Sequence, residues 1–220
     1  MSDRAVHVIE VFADIWCPFA YVGLRTVDEQ RVRRGRTDVR IQVRAWPLEL
    51  VNGAPLDPSV TKAHVDELRE QVAPSLFGSF DPQHFPRSTL DPLALAARAY
   101  RADLLTGERV SFALRDALFE RGEDISSRAV LERIAAEFDV GWPAEVDRSA
   151  VMDDWREGQR RGVLGSPHFF CGDSDVFCPS LEISKEPGHG LSIARDGSRL
   201  RTFLERCLSD ADSSALGGPG

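Results

Sequence analysis

The sequence has no apolar run of about 18 residues or more, the length a membrane-spanning helix requires, so no membrane partner is expected. It has no surplus of basic charge either. Lys and Arg number 27 against 35 Asp and Glu, a formal net charge of −8. Nucleic-acid binders carry a basic stripe. The one dense basic cluster here, Arg31, Arg33, Arg34 and Arg36, falls at the end of a predicted helix, where cations suit the negative end of the dipole. No nucleic-acid partner is expected. Cysteine is scarce: Cys17, Cys171, Cys178 and Cys207 are all there is, with no C-x-x-C among them. His189 is poorly spaced to complete a zinc site with them, so no metal is expected. Residues 1–10 lack the charged start, apolar middle and small-residue cleavage site of a secretory signal. A cytoplasmic location is the resulting expectation, with the thiols reduced at rest. No repeat period points to a solenoid.

What is present reads as a packed chain. Apolar residues make up 42% of it, enough for the core of one domain, or of one domain with a large insertion. Residues 6–13 (V-H-V-I-E-V-F-A) are short, apolar and β-branched, as a buried strand is. Pro18 then opens a helical pattern through Phe19, Val22, Gly23, Val27 and Gln30, which Gly35 stops. Cys17 thereby falls at the N-cap. Residues 39–45 (V-R-I-Q-V-R-A) alternate strictly, as a half-buried strand does. Strand, helix and strand in that order predict a βαβ unit with parallel strands.

Helical patterns fill most of the next stretch. One covers residues 60–71, and a loop rich in Gly, Pro and Phe follows over 74–86. Further helices open at Ser88-Thr89, at Gly107-Glu108 and at Ser126-Ser127, and a polar one covers residues 147–161. Strands return after Gly162, one from His168 and another starting at Val176-Phe177-Cys178. A turn at Pro187-Gly188 leads to residues 191–193, and residues 200–208 form a last helix. The expected division is an α/β part over residues 1–55 and 160–209, an inserted helical part over 56–159, and a disordered tail over 210–220.

Two motifs carry a resemblance. Asp14-Ile15-Trp16-Cys17-Pro18-Phe19-Ala20-Tyr21-Val22-Gly23 is similar to the D-x-x-C-P-W-C-Y-x-G stretch of cytosolic FrnE-like oxidoreductases. Gly162-Val163-Leu164-Gly165-Ser166-Pro167-His168-Phe169 is similar to the G-V-x-G-V-P-x-F loop that supplies the cis-proline of that superfamily. Trp46-Pro47-Leu48-Glu49-Leu50 loosely resembles its W-x-P-F-x-L segment. Over residues 6–208 the chain resembles the DsbA-like branch of the thioredoxin superfamily. The resemblance implies an α/β thioredoxin fold with a large all-helical insertion, a cis Ser166–Pro167 bond beside Cys17, and thiol–disulfide oxidoreductase activity.

One departure matters. The second cysteine of the usual C-x-x-C is Ala20 here, so a dithiol cycle on residues 17 and 20 is chemically impossible. Monothiol glutaredoxins keep one cysteine and let a small thiol resolve the adduct. The 2-hydroxychromene-2-carboxylate isomerases and kappa-class glutathione transferases, similar in architecture, carry Ser near this place and bind glutathione.

These comparisons and the residues give a set of expectations. Catalysis is assigned to Cys17 and Pro167. Substrate or thiol binding is assigned to Trp16, Pro18, Phe19, Ala20, Trp46 and Ser166. Unpaired N–H groups at a helix start lower a thiol pKa, which predicts a Cys17 thiolate. An extended thiol peptide would pair with the Ser166 backbone. No cofactor is expected to stay bound; glutathione or mycothiol is the expected co-substrate, with a disulfide or small molecule as partner, and a homodimer is compatible with the resemblance. Two alternatives stand beside this. One is a glutathione-type isomerase or transferase, with Phe77, Phe80 and Phe85 shaping an aromatic pocket. The other is a redox-inactive binding protein. Four side chains have two readings each. Cys171 and Cys178 are a hairpin disulfide or two packed thiols; His168 is a base or a satisfied strand residue; Trp46 lines the groove or packs under it.

Overall fold

Strand β1 (His7–Ala13) and strand β2 (Val39–Ala45) run parallel, with Ile9 beside Ile41 and Val11 beside Val43. Helix α1 (Pro18–Arg33) makes the crossover between them. The computed structural model describes residues 6–185 and 190–208. The expected tail over 210–220, the turn at Pro187-Gly188 and His189 lie outside the described residues.

Strands β3 (His168–Cys171) and β4 (Ser174–Phe177) complete a sheet of order β2-β1-β3-β4, β3 antiparallel to both neighbours. Alternation along the strands sorts its two faces. Ile9, Val11, Ile41, Val43 and Phe169 pack against α1 and the last helix, α8 (Gly197–Leu208), through Leu24, Val27, Leu200, Phe203 and Leu204. Phe12 and Phe170 face the other way, with Trp46.

Between β2 and β3 lie helices α2 (Leu48–Asn52), α3 (Pro58–Gln71), α4 (Leu90–Ala102), α5 (Leu104–Phe119), α6 (Arg128–Glu137) and α7 (Ser149–Arg160). Their side chains close the free edge of the sheet. Ile41 N–H donates to Glu108 at 2.7 Å, Val43 N–H to Tyr100 Oη at 2.9 Å, and Ala45 N–H to Asp154 at 2.9 Å. The row of donors that an edge strand would leave open is thereby used up. Among the described residues no helix is long and apolar enough to cross a membrane.

Several boundaries differ from the sequence expectation. Helix α5 starts at Leu104, not at Gly107, because the Asp103 carboxylate accepts from Thr106 N–H and caps it there. Gly107 sits inside the helix where a Cβ would lie 2.1 Å from the Tyr100 ring. Helix α8 likewise starts early, on an Asp196 cap that accepts from Ser198 N–H. Strand β4 ends at Phe177 instead of continuing through Cys178. Strands β5 (Leu181–Lys185) and β6 (Leu191–Arg195) form a separate hairpin that the sequence expectation, two strands and then the last helix, does not include. Its backbone is held by α3: Leu191 N–H donates to Glu67 and Ile193 N–H to Gln71.

Candidate active site

The sheet delivers two segments to one place. Strand β1 ends at Ala13, and Cys17 takes the N-cap of α1 with extended backbone (φ −78°, ψ 111°) while Pro18 occupies the first turn. Its carbonyl accepts the first helical bond, from Tyr21 N–H at 3.1 Å. Strand β3 starts beside β1, and the Ser166–Pro167 bond just before it is cis. Cys17 Sγ donates to the Ser166 carbonyl at 3.2 Å, and Asp14 N–H donates to Ser166 Oγ at 3.0 Å. Gly23 lets α1 approach the loop, since a Cβ there would stand 3.3 Å from Pro167 Cγ.

His168 fastens this loop from below. Leu164 N–H donates to Nδ1 at 3.2 Å, so Nε2 carries the proton and faces Asp175 Oδ2 at 3.0 Å. Burial holds the imidazole below its ordinary pKa. Both ring nitrogens are engaged, which makes His168 a satisfied strand residue and not a base.

Beneath Cys17 lie two buried charged residues, Asp14 and Arg115, that the sequence reading does not single out. The Asp14 carboxylate accepts from Ile15 N–H at 2.7 Å and Leu48 N–H at 2.6 Å. Burial nevertheless pushes it up to about 6. Arg115, from α5, is fully buried; it donates to the Asp14 carbonyl at 3.2 Å and to the carbonyl and hydroxyl of Ser111. Its Nε has no partner, and burial pushes the guanidinium down to about 10. The signal was present: Arg115 stands four residues after Ser111, on the face that α5 buries.

The expected Cys17 thiolate needs correction. Burial comes first and pushes the thiol up, and the Asp14 carboxylate adds to this. Hydrogen bonding from the Ser166 hydroxyl and from the N–H groups of Ala20 and Phe19 works against it and is outweighed. Cys17 is 4% exposed, too little for the helix-start donors to prevail over desolvation. At rest it is a neutral thiol with anion-stabilising donors already aimed at it.

The other expected site residues separate. Pro18 and Ala20 are buried in the first turn of α1. Phe19 is half-buried against His64 of α3, ring centroids 5.2 Å apart, and stays near the sulfur. Trp16 is fully buried and stacks on Phe85 at 5.6 Å, so it packs under the site without lining it. Trp46 does not line the groove. It meets Phe12 edge-on at 6.4 Å and lies against Gly158 of α7, because residue 46 leaves the sheet on the Phe12 face, away from the cluster that holds Cys17. Phe77 and Phe85 are core residues, and Phe80 packs on Phe85 and Phe119, so these rings do not shape an open pocket.

The remaining cysteines pair differently from the hairpin expectation. Cys171 lies beside the β3–β4 turn, opposite Ser174, whereas Cys178 lies past the open end, so no disulfide joins them. Cys171 instead hydrogen-bonds Cys207 of α8. Cys178 N–H donates to the Pro167 carbonyl at 3.0 Å.

Comparisons with known proteins agree with this geometry. Residues 8–184 match the family model of the DSBA-like thioredoxin domain. No curated protein matches the chain. Among solved structures, the cytosolic disulfide reductase DsbM from Pseudomonas aeruginosa is similar at 18% identity and TM-score 0.59, covering 92% of this chain and 98% of that one. DsbM with GSH is similar at 17% identity and TM-score 0.56, covering 92% and 100%. A 2-hydroxychromene-2-carboxylate isomerase is similar at 15% identity and TM-score 0.51, covering 77% and 88%. At these identities the likeness concerns the fold. The matched span runs from β1 through the helices and the cis-proline loop to β5, and the chain therefore belongs to the DSBA-like thioredoxin family, a family of thiol–disulfide oxidoreductases.

Proposed function

We propose that this protein is a cytoplasmic thiol–disulfide oxidoreductase in which Cys17 alone performs the first exchange and a small thiol, glutathione or mycothiol, serves as co-substrate. The observation that carries the reading is the contact of Cys17 Sγ with the Ser166 carbonyl at the start of a helix. A disulfide laid along residues 164–166 meets the sulfur there. Leu164 is 74% exposed and Ser166 half-buried, so that stretch is open to an extended thiol peptide. The N–H groups of Phe19 and Ala20 stabilise the thiolate as it forms.

The exchange balances simply. Cys17 gives up its proton and attacks one sulfur of the substrate disulfide; the S–S bond breaks, and the other half leaves as a thiol. A further thiol then attacks the adduct and frees Cys17. Ala20 cannot supply that thiol. The likeness to DsbM, whose structure with GSH shares the fold, supports a glutathione-type partner.

Glutathione-dependent reduction of hydroxyethyl disulfide tests the reading. The wild-type protein turns over and Cys17→Ser falls to the uncatalysed rate. A Cys17→Ser variant that keeps the wild-type rate sinks it.

A further inference from the structure

The chain lacks a cysteine at position 20, yet a second thiol stands at the site. Cys178 directly follows β4, whose last residue, Phe177, pairs with His168. Its N–H donates to the Pro167 carbonyl at 3.0 Å, while Cys17 Sγ donates to the Ser166 carbonyl at 3.2 Å. The two cysteines therefore hang on consecutive carbonyls of one loop. Cys178 is 8% exposed, and Phe19 packs on both the cluster that holds Cys17 and the cluster that holds Cys178. Cys178 also has φ of 44°, in the left-handed region that residues with a Cβ rarely adopt and that tends to occur at functional sites.

We propose that Cys178 is an internal resolving thiol, which closes a disulfide with Cys17 after Cys17 has taken up half of a substrate disulfide. The inference rests on Cys17 being the nucleophile. Cys178 gives its proton to solvent and attacks the Cys17 sulfur of the adduct. The bond between Cys17 and the substrate sulfur breaks, and the substrate half leaves as a thiolate that takes up a proton. The substrate disulfide has then gained two electrons and two protons, and the protein holds a Cys17–Cys178 disulfide in their place. Two molecules of a glutathione-type thiol restore both cysteines and leave as the oxidised disulfide. The small thiol thus reduces the enzyme, and the internal thiol spares it the resolving step.

Burial pushes the Cys178 thiol up to about 12, with Arg199 acting in the opposite direction, so Cys178, like Cys17, rests as a neutral thiol. Closing the bond needs the two α-carbons within about 4.4–6.8 Å. Cys171 cannot substitute, being at the other end of β3, where its free thiol neighbours Cys207.

The test treats the full chain with oxidised glutathione and maps the peptides without reduction. Wild type becomes two hydrogens lighter and yields a linked Cys17–Cys178 peptide, while Cys178→Ser and Cys178→Ala each accumulate glutathione on Cys17. The wild-type cross-link decides the matter even if a variant folds poorly. A stable glutathione adduct on wild-type Cys17 with no linked peptide overturns the resolving role and leaves Cys17 as nucleophile. No modification of Cys17 in any form overturns both.

Discussion

Strand β3 has two thiols near each end, and the two sets differ in their surroundings and in the exposure of one member, Cys171. At its start Cys17 and Cys178 are buried around Ser166 and Pro167, and burial pushes both thiols up. At its finish Cys171 is half-buried, and the hydrogen bond with Cys207 holds it below the ordinary cysteine range. That hydrogen bond and burial push Cys207 up in turn. Judged by exposure and ionisation alone, Cys171 is the better nucleophile. Judged by surroundings, only Cys17 has a helix start, a Ser166 carbonyl and an open strand-like stretch beside it. Position, not resting acidity, is the ground on which Cys17 is proposed as the nucleophile.

The buried charges sharpen the comparison, since they lie under one pair only. Arg115→Met removes the cation facing the Asp14 carbonyl and leaves Asp14 buried without it. The Asp14 and Ser111 carbonyls then lose a buried donor, and a buried polar group left unsatisfied costs about 1–3 kcal/mol. Chemical denaturation should show that loss, and disulfide reduction should fall with it, while Cys171 labelling in the folded fraction stays as in wild type. Equal stability of variant and wild type would break the assignment of Arg115 to the Cys17 end.

Asp14 gives a smaller effect with a definite sign. Its folded pKa, about 6, lies above the value of 3.8 for an unperturbed carboxyl. Between these values the native state binds more protons than the unfolded state, so stability falls as pH rises from about 4 to about 6 and levels off above. Two pKa units correspond to about 3 kcal/mol at most. The slope should be seen in urea midpoints of wild type and be absent in Asp14→Asn, whatever the variant's absolute stability. An identical slope in both would place the titration elsewhere.

The split between the two pairs also shows what a sequence discloses. The N-cap position of Cys17 was legible because its causes are local: a strand period before it, Pro18 after it and a helical period beyond. The parallel β1–β2 pairing and the loop at Pro167 were legible for similar reasons. The resting charge of Cys17 was not, because the helix-start effect is local while its burial also depends on packing with segments distant in sequence, Phe169 and α8 among them. Trp46 offered no sign of which sheet face it would join. The partners of Cys171 and Cys178 depend on strand register, and six intervening residues put them at opposite ends of a hairpin, not across it. The β5–β6 hairpin escaped because its edge is fastened by Glu67 and Gln71, over a hundred positions away in sequence.

One measurement tests the central claim most directly: the rates at which unmodified Cys17 and Cys171 peptides disappear, compared for iodoacetamide and for oxidised glutathione on the same protein. Iodoacetamide probes exposure and ionisation, whereas oxidised glutathione must also be positioned. The account predicts that iodoacetamide consumes Cys171 first and oxidised glutathione consumes Cys17 first. Cys171 reacting ahead of Cys17 with both reagents would contradict it.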